Sequence, residues 1–361
     1  RYMGRPRSSQ KYYKIRLMIE NSPFIKALKK EPLEVPPIWY MRQAGRYMPE
    51  YRAVRSKFKN FLDMCKNPDV CCELAMQPID KFRLDASILF SDILTIPDAF
   101  GLKVEFVEGE GPVFRNPIRK RSDIESLPEF NPDDLDYVYK AVSNIRSALP
   151  SHIPLIGFCG SPWTLAAYSI EGGSSKDFAF TRNFVAENAD ISEVFLEKLT
   201  NACFIYLKNQ VISGANVLQI FDSWANLLSE ADYFEYSLKH INKLIHMIKS
   251  DPVTAAIPII LFAREPKCEP IVLADSSADC LSLFWSMDTI DINQLKSKIS
   301  IQGNLNPAIL LESRDAIKRE TYKILDRYKN YPGYIFNLGH GITPNINPEN
   351  IKYLTDLVRS Y

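Results

Sequence analysis

Eight short, almost uninterrupted apolar runs punctuate this chain, and their spacing restricts its fold more than any other feature. They fall at 37–41, 86–90, 153–159, 216–221, 257–263, 280–285, 299–304 and 334–339. None alternates polar with apolar, so each reads as a strand covered on both faces, as in a parallel sheet wrapped by helices. Helical patterns at 68–82, 190–212, 231–250 and 310–330 lie between them. Eight such units predict an α/β fold, a single (β/α)8 TIM barrel. No Pro/Gly linker divides the 361 residues, so 21–361 is expected to be one domain. The rhythm breaks once. Lys103 to Val107, then Gly109 and Gly111, then Val113-Phe114 read as a β-hairpin inserted after the second strand. Gly109-x-Gly111 is no nucleotide loop, because Pro112 and an extended segment follow where a helix should begin.

A net charge of +1 argues against bulk attraction to nucleic acid or membrane, so any anion site must be a local cluster. No apolar stretch reaches membrane-spanning length. Seven scattered cysteines (65, 71, 72, 159, 203, 268, 280) form no C-x-x-C pair, which suggests buried thiols in a reducing compartment. The four histidines (152, 240, 246, 340) show no H-E-x-x-H spacing, so no zinc site is expected. Residues 1–20 read as a basic tail or a presequence remnant. The first nineteen carry six Lys/Arg and no acid, which favours a plastid-type organelle over the cytoplasm for a soluble protein.

The local cluster follows the first run. Arg42, Arg46, Arg52 and Arg55 fall within fourteen residues, with Gly45 marking a turn and Pro49 suited to start a helix that places Arg52 and Arg55 on one side. Guanidinium groups grip carboxylates bidentately, so this loop suits a ligand carrying several of them, or else is a solvated basic face. Polar residues also end most of the other runs: Ser91-Asp92, Gly160-Ser161, Asp222-Ser223, Arg264, Asn304 and Gly339-His340-Gly341. One such residue is an ordinary turn or cap; so many at the strand ends of one barrel would line its mouth.

Asp92, flanked by Phe90 and Ile93, is costly to bury unless bonded; it either caps the following helix or meets a ligand. Ser161-Pro162 predicts a helix start, with Gly172-Gly173 as its stop. Tyr168 on that helix faces either the mouth or a neighbouring helix. Ser223 has no evident histidine base, which favours hydrogen bonding over nucleophilic attack. His340, between two glycines, has little local packing and reads as functional rather than core.

Trp39 to Arg55, Phe90 to Leu94, Gly157 to Leu165, Gln219 to Ala225, Gln302 to Leu305 and Asn337 to Gly341 together closely resemble the uroporphyrinogen decarboxylase family, in order, over about residues 21–358. The resemblance implies a homodimeric barrel that needs no metal or organic cofactor. It would convert the four acetate side chains of uroporphyrinogen III to methyl groups, giving coproporphyrinogen III. It implies Asp92 and Arg42 as catalytic residues. Arg42, Ala44, Arg46, Arg55, Asp92, Tyr168, Ser223 and His340 would bind substrate. The chain departs from the family at Phe284 and Asn306, where aspartate is common, and at Arg264 to Cys268. These changes are expected to alter local hydrogen bonding but not the central site. Two alternatives are a corrinoid-linked zinc methyltransferase of the related group, against which the missing H-x-C pair counts, and a tetrapyrrole-binding protein without turnover.

Overall fold

The computed structural model describes residues 15–287 and 290–361; the expected tail therefore lies mostly outside the described residues. The strands, in chain order, are β1 (Ser87–Ile88), β2 (Val104–Val107), β3 (Gly111–Phe114), β4 (Leu155–Gly160), β5 (Val217–Asp222), β6 (Ile259–Ala263), β7 (Cys280–Ser282), β8 (Ser300–Gln302) and β9 (Tyr334–Ile335). β2 and β3 pair antiparallel. The other seven form one parallel sheet in the order β1-β4-β5-β6-β7-β8-β9.

That sheet curls. Ile38, in the first apolar run, makes a parallel bridge to Phe336 beside β9. On its other side the Ile38 carbonyl accepts from Asp85 N–H at 2.8 Å, and its own N–H donates to the Asp85 carboxylate at 2.7 Å. The first run thus lies between the last strand and the first.

Helices fill the gaps where the 3.6-residue period placed them. Pro68–Phe82 coincides with the expected span, and Ala189–Ile212 and Arg314–Tyr328 come within two residues at most bounds. Helix Pro162–Glu171 starts at Ser161, whose Oγ accepts from Thr164 N–H at 3.0 Å, and stops at Gly172 with φ +86°. That positive φ is inexpensive only for glycine.

Apolar side chains sort into two layers. One packs the strands against the helices, through residues such as Leu155, Leu218, Leu261, Leu199 and Ile241. The other fills the space inside the curl: Trp39, Met41, Ile156, Val217, Ile260 and Ile335, met at one end by Phe24 and Ile25 of helix Pro23–Leu28. The inner space is not wholly apolar. Trp39 Nε1 donates to Gln302 Oε1 at 2.7 Å, and Gln302 Nε2 donates to Ser282 Oγ at 2.9 Å. Buried polar groups are tolerable when bonded to one another.

Because the seven strands are parallel, their C-terminal ends open on one side. The apolar run 280–285 illustrates the consequence: only Cys280–Ser282 stays in the ladder. Phe284 and Trp285 leave it at that open end.

Candidate active site

Arg42 is exposed just past the first apolar run, and its charge acts on Asp92, Tyr168 and His340. The chain turns over 41–48, as Gly45 leads one to expect, and within that turn Arg42 takes a left-handed φ of +59°. Such a conformation costs of order 1–3 kcal/mol and persists only where the surroundings impose it. The Arg42 side chain lies against Gly341: a Cβ there would come within 2.5 Å of Arg42 Cδ. Ile342 N–H also donates to the Met41 carbonyl at 3.0 Å. The histidine loop and the arginine turn are therefore one packed unit.

Asp92 follows β1, enclosed by protein yet still partly accessible, as expected for the floor of an open cleft. Its Oδ1 accepts from Leu94 N–H at 2.8 Å. Among the described residues no hydrogen-bond donor to Oδ2 is found. Burial raises its pKa to about 6, against the opposing pull of the Leu94 N–H and the Arg42 charge. The capping reading of Asp92 holds for one oxygen, which caps the turn before Thr95.

The Arg42 charge also reaches Tyr168 and His340. Tyr168 is the half-exposed residue of an otherwise buried stretch of its helix, Pro162 to Ile170. Its ring stands edge-on to Trp224 and Phe178, at 5.7 and 5.9 Å. Burial comes first in raising its pKa, and Asp92 adds to it. Tyr168 thus shares the electrostatic environment of Asp92 and Arg42.

His340 departs from expectation in its packing. The flanking glycines give close approach rather than looseness: a Cβ on Gly339 would sit 2.3 Å from Trp285 N, as one on Gly341 would meet Arg42. The imidazole is wedged edge-on against Phe262 and Phe284, at 6.4 and 5.9 Å. Burial, then Arg42 and Arg264, push its pKa down to about 4. At pH 7 it is therefore a neutral imidazole.

The remaining arginines divide. Arg46 is exposed, and its charge and that of Arg55 reach Tyr51, whose ring lies 5.9 Å from Phe90. Arg55 Nη1 donates to the Phe58 carbonyl at 2.6 Å. Helix Pro49–Arg55 starts at Pro49 and carries Arg52 and Arg55 one turn apart, as expected, but the Arg52 side chain is engaged within the loop. It turns back, donating from Nη1 to the Arg46 and Tyr47 carbonyls at 2.8 and 3.1 Å. Orphan carbonyls in a tight loop attract such a donor, so Arg52 supports the loop rather than facing a ligand. Ala44 is half-buried in the same turn, against the outer core. Ser223 is half-exposed just past β5; no hydrogen bond joins its side chain to the other candidates among the described residues.

Asp222 is withdrawn from the mouth. It is fully buried and accepts from Ser161 Oγ at 2.7 Å, Thr164 Oγ1 at 3.2 Å and Ser237 Oγ at 2.7 Å. It therefore ties the end of β5 to the start of helix Pro162–Glu171 and to Ser237. Ser161 is likewise a buried cap. The serines and threonines around Asp222 are spread over seventy-odd positions of sequence, so no local pattern announces this hub.

The family departures are closer to the site than their sequence positions suggest. Asn306 behaves as aspartate would, its Oδ1 accepting from Ala308 N–H at 3.0 Å. Phe284 does not stay local: it packs on His340 and lies under Arg264, 5.7 Å from the guanidinium. Among the described residues, Glu193, Glu197 and His240 have metal-like spacing. They lie on the helices that follow β4 and β5, and Lys239 and Lys243 already ion-pair with the two carboxylates.

A curled parallel α/β sheet with a carboxylate and an arginine cluster converging at its C-terminal end defines a barrel-type enzyme for an anionic substrate. Residues 19–361 match the family model described as uroporphyrinogen decarboxylase (URO-D). A protein so named from Vesicomyosocius okutanii is 46% identical over 339 residues, covering 94% of this chain and 97% of that one. Another from Pseudomonas putida is 46% identical over 334 residues, covering 92% and 94%. The chain belongs to the uroporphyrinogen decarboxylase family. Among solved structures, a methyltransferase from Methanosarcina mazei superposes with a TM-score of 0.73 at 20% identity, covering 94% of this chain and 98% of that one. That likeness shows the fold alone. These relatives give the organellar expectation no support, and among the described residues no helix is long and apolar enough to cross a membrane.

Proposed function

We propose that this chain decarboxylates uroporphyrinogen III, converting its four acetate side chains to methyl groups in tetrapyrrole biosynthesis. The observation that carries the mechanism is the half-satisfied Asp92 carboxylate on the floor of the mouth, with Arg42 beside it. Uroporphyrinogen presents four pyrrole N–H donors at its centre and carboxylates around its rim, complementary to one central anion ringed by arginines. Charge-assisted hydrogen bonds contribute about 1.5–3 kcal/mol each. The four donors therefore lower the Asp92 pKa on binding and keep it ionised.

Decarboxylation leaves an electron pair that needs a sink. The pyrrole supplies one without a cofactor. A proton added to a ring carbon makes the ring cationic, and the C–C bond to the carboxylate breaks to release CO2. Its electrons neutralise the ring, giving an exocyclic methylene. A second proton turns the methylene into methyl as the ring proton leaves. Ionised Asp92 stabilises the cation where it forms, a preorganised electrostatic contribution. Arg42 positions the reacting carboxylate. A neutral His340 is a poor acid, so Arg42 or a hydronium ion from solvent beside it is the proton source. Arg46, Arg55 and Ala44 engage rim carboxylates, while Tyr168, Ser223 and His340 line the cleft.

The same reading takes 21–361 as one domain, an eight-stranded barrel closed through Ile38 with the β2–β3 pair as its insertion, acting as a homodimer. The hydrogen bonds flanking Ile38 support the closure, and the match over 19–361 supports the single domain. The test is anaerobic incubation with uroporphyrinogen III, counting carboxyl groups on the product. Four fewer is expected; an unchanged count with tight binding means a tetrapyrrole carrier. Stoichiometric zinc with methyl transfer would favour the methyltransferase alternative.

A further inference from the structure

Arg264 follows β6, which stands four strands from the 37–41 segment in either direction around the curl. It therefore lies across the mouth from the arginines of the first loop. Its guanidinium is held between two rings, 5.6 Å from the Trp224 centroid and 5.7 Å from that of Phe284. Two ring faces at this distance attract a guanidinium and hold it in place without using its N–H donors. Arg264 Nε is buried without a hydrogen-bond partner, and no ion pair involves its side chain among the described residues. The acid beside it in sequence is engaged elsewhere: Glu265 Oε1 accepts from Ser286 Oγ at 2.8 Å. Asp222 is occupied by three hydroxyls.

An unpaired buried N–H is costly, so such groups normally have a partner. Here the partner sought is an acceptor that reaches the mouth from outside. The charge is felt at His340, which places it against the cleft rather than bulk solvent.

We propose that Arg264 grips a rim carboxylate of the substrate with its Nε–Nη edge, on the side of the mouth opposite Arg46 and Arg55, while Trp224 and Phe284 hold its plane. The assignment rests on the uroporphyrinogen reading and deepens it. A macrocycle with carboxylates all round its edge needs cations on both sides to lie centred over Asp92, and the first loop supplies only one side. Arg264 is thus a binding and positioning residue.

The test measures anaerobic equilibrium binding of uroporphyrinogen III, steady-state turnover and melting temperature for wild type, Arg264→Gln and Arg264→Lys. Arg264→Gln is expected to raise Kd about tenfold or more, the effect of losing a charge-assisted pair, with the melting temperature unmoved. Arg264→Lys, which keeps the charge but not the fork, is expected to fall between. A Kd within twofold of wild type in Arg264→Gln, with lowered melting, would make Arg264 a structural clamp and overturn the proposal. Wild-type binding without CO2 release would instead defeat the decarboxylase reading, with Kd still deciding the role of Arg264. No wild-type binding at all would defeat both.

Discussion

Asp92 and Asp222 both stand at C-terminal strand ends of the same sheet, yet they are built for opposite purposes. Burial raises the pKa of each. Asp222 is met by three hydroxyls at 2.7–3.2 Å, bonds that favour its charged form. Asp92 has one backbone N–H, from Leu94 at 2.8 Å, and a nearby arginine. A carboxylate surrounded by its own protein's donors is a fastener. One left short of donors in an open cleft bears a desolvation cost, which under the proposed function the pyrrole N–H groups of the substrate offset.

Four substitutions break or sharpen that contrast. Asp92→Asn, similar in shape but uncharged, should cut turnover by about 10²–10³-fold, the scale of losing one preorganised electrostatic group, while folding normally. Anaerobic product analysis beside circular dichroism reads this, and a wild-type rate would end the electrostatic role. Asp222→Ala should reverse the pattern. Urea unfolding should show a loss of about 2–4 kcal/mol from stranding hydroxyls that now donate, with kcat per folded molecule falling far less than for Asp92→Asn.

The third prediction concerns pH. A carboxyl whose pKa is raised on folding binds protons better in the native state, so its contribution to stability falls as pH climbs from about 4 to about 6. Asp92→Asn should therefore be more stable than wild type by about 1–3 kcal/mol at pH 8. The two should converge below pH 4, and equal melting at pH 8 would show that burial of the charge costs nothing. The smallest effects separate two neighbouring arginines. Arg46→Ala should weaken substrate binding about tenfold with little change in melting. Arg52→Ala should lose about 1 kcal/mol of stability with binding nearly intact, since its bonds go to backbone carbonyls. Titration calorimetry with thermal melts distinguishes them, and identical behaviour would erase the distinction.

Much of the site was legible because the chemistry follows the rhythm of the fold. Strand runs read as apolar, and the polar residues that end them single out Arg42, Asp92, Ser223 and His340 as candidates. Arg264 appeared in the same series, but nothing local to it distinguished a free guanidinium from a paired one. Its two aromatic neighbours come from the ends of β5 and β7, forty and twenty residues away in sequence. Asp222 misled for the same reason, since the hydroxyls that satisfy it come from Ser161, Thr164 and Ser237. The glycines around His340 suggested looseness and instead allow the backbone of Trp285 and the side chain of Arg42 to approach.

Sequence alone determined the alternation of buried strands and helices, the arginine-rich loop and the family, because hydrophobic period and motif spacing are properties of neighbouring residues. Only the tertiary structure decided which polar groups are satisfied. A hydrogen bond needs two atoms within about 3 Å, and in this molecule the deciding partners usually come from different strands. Which carboxylate is tied off, which guanidinium is free and which histidine has lost its proton are set by that through-space matching, which no linear spacing records.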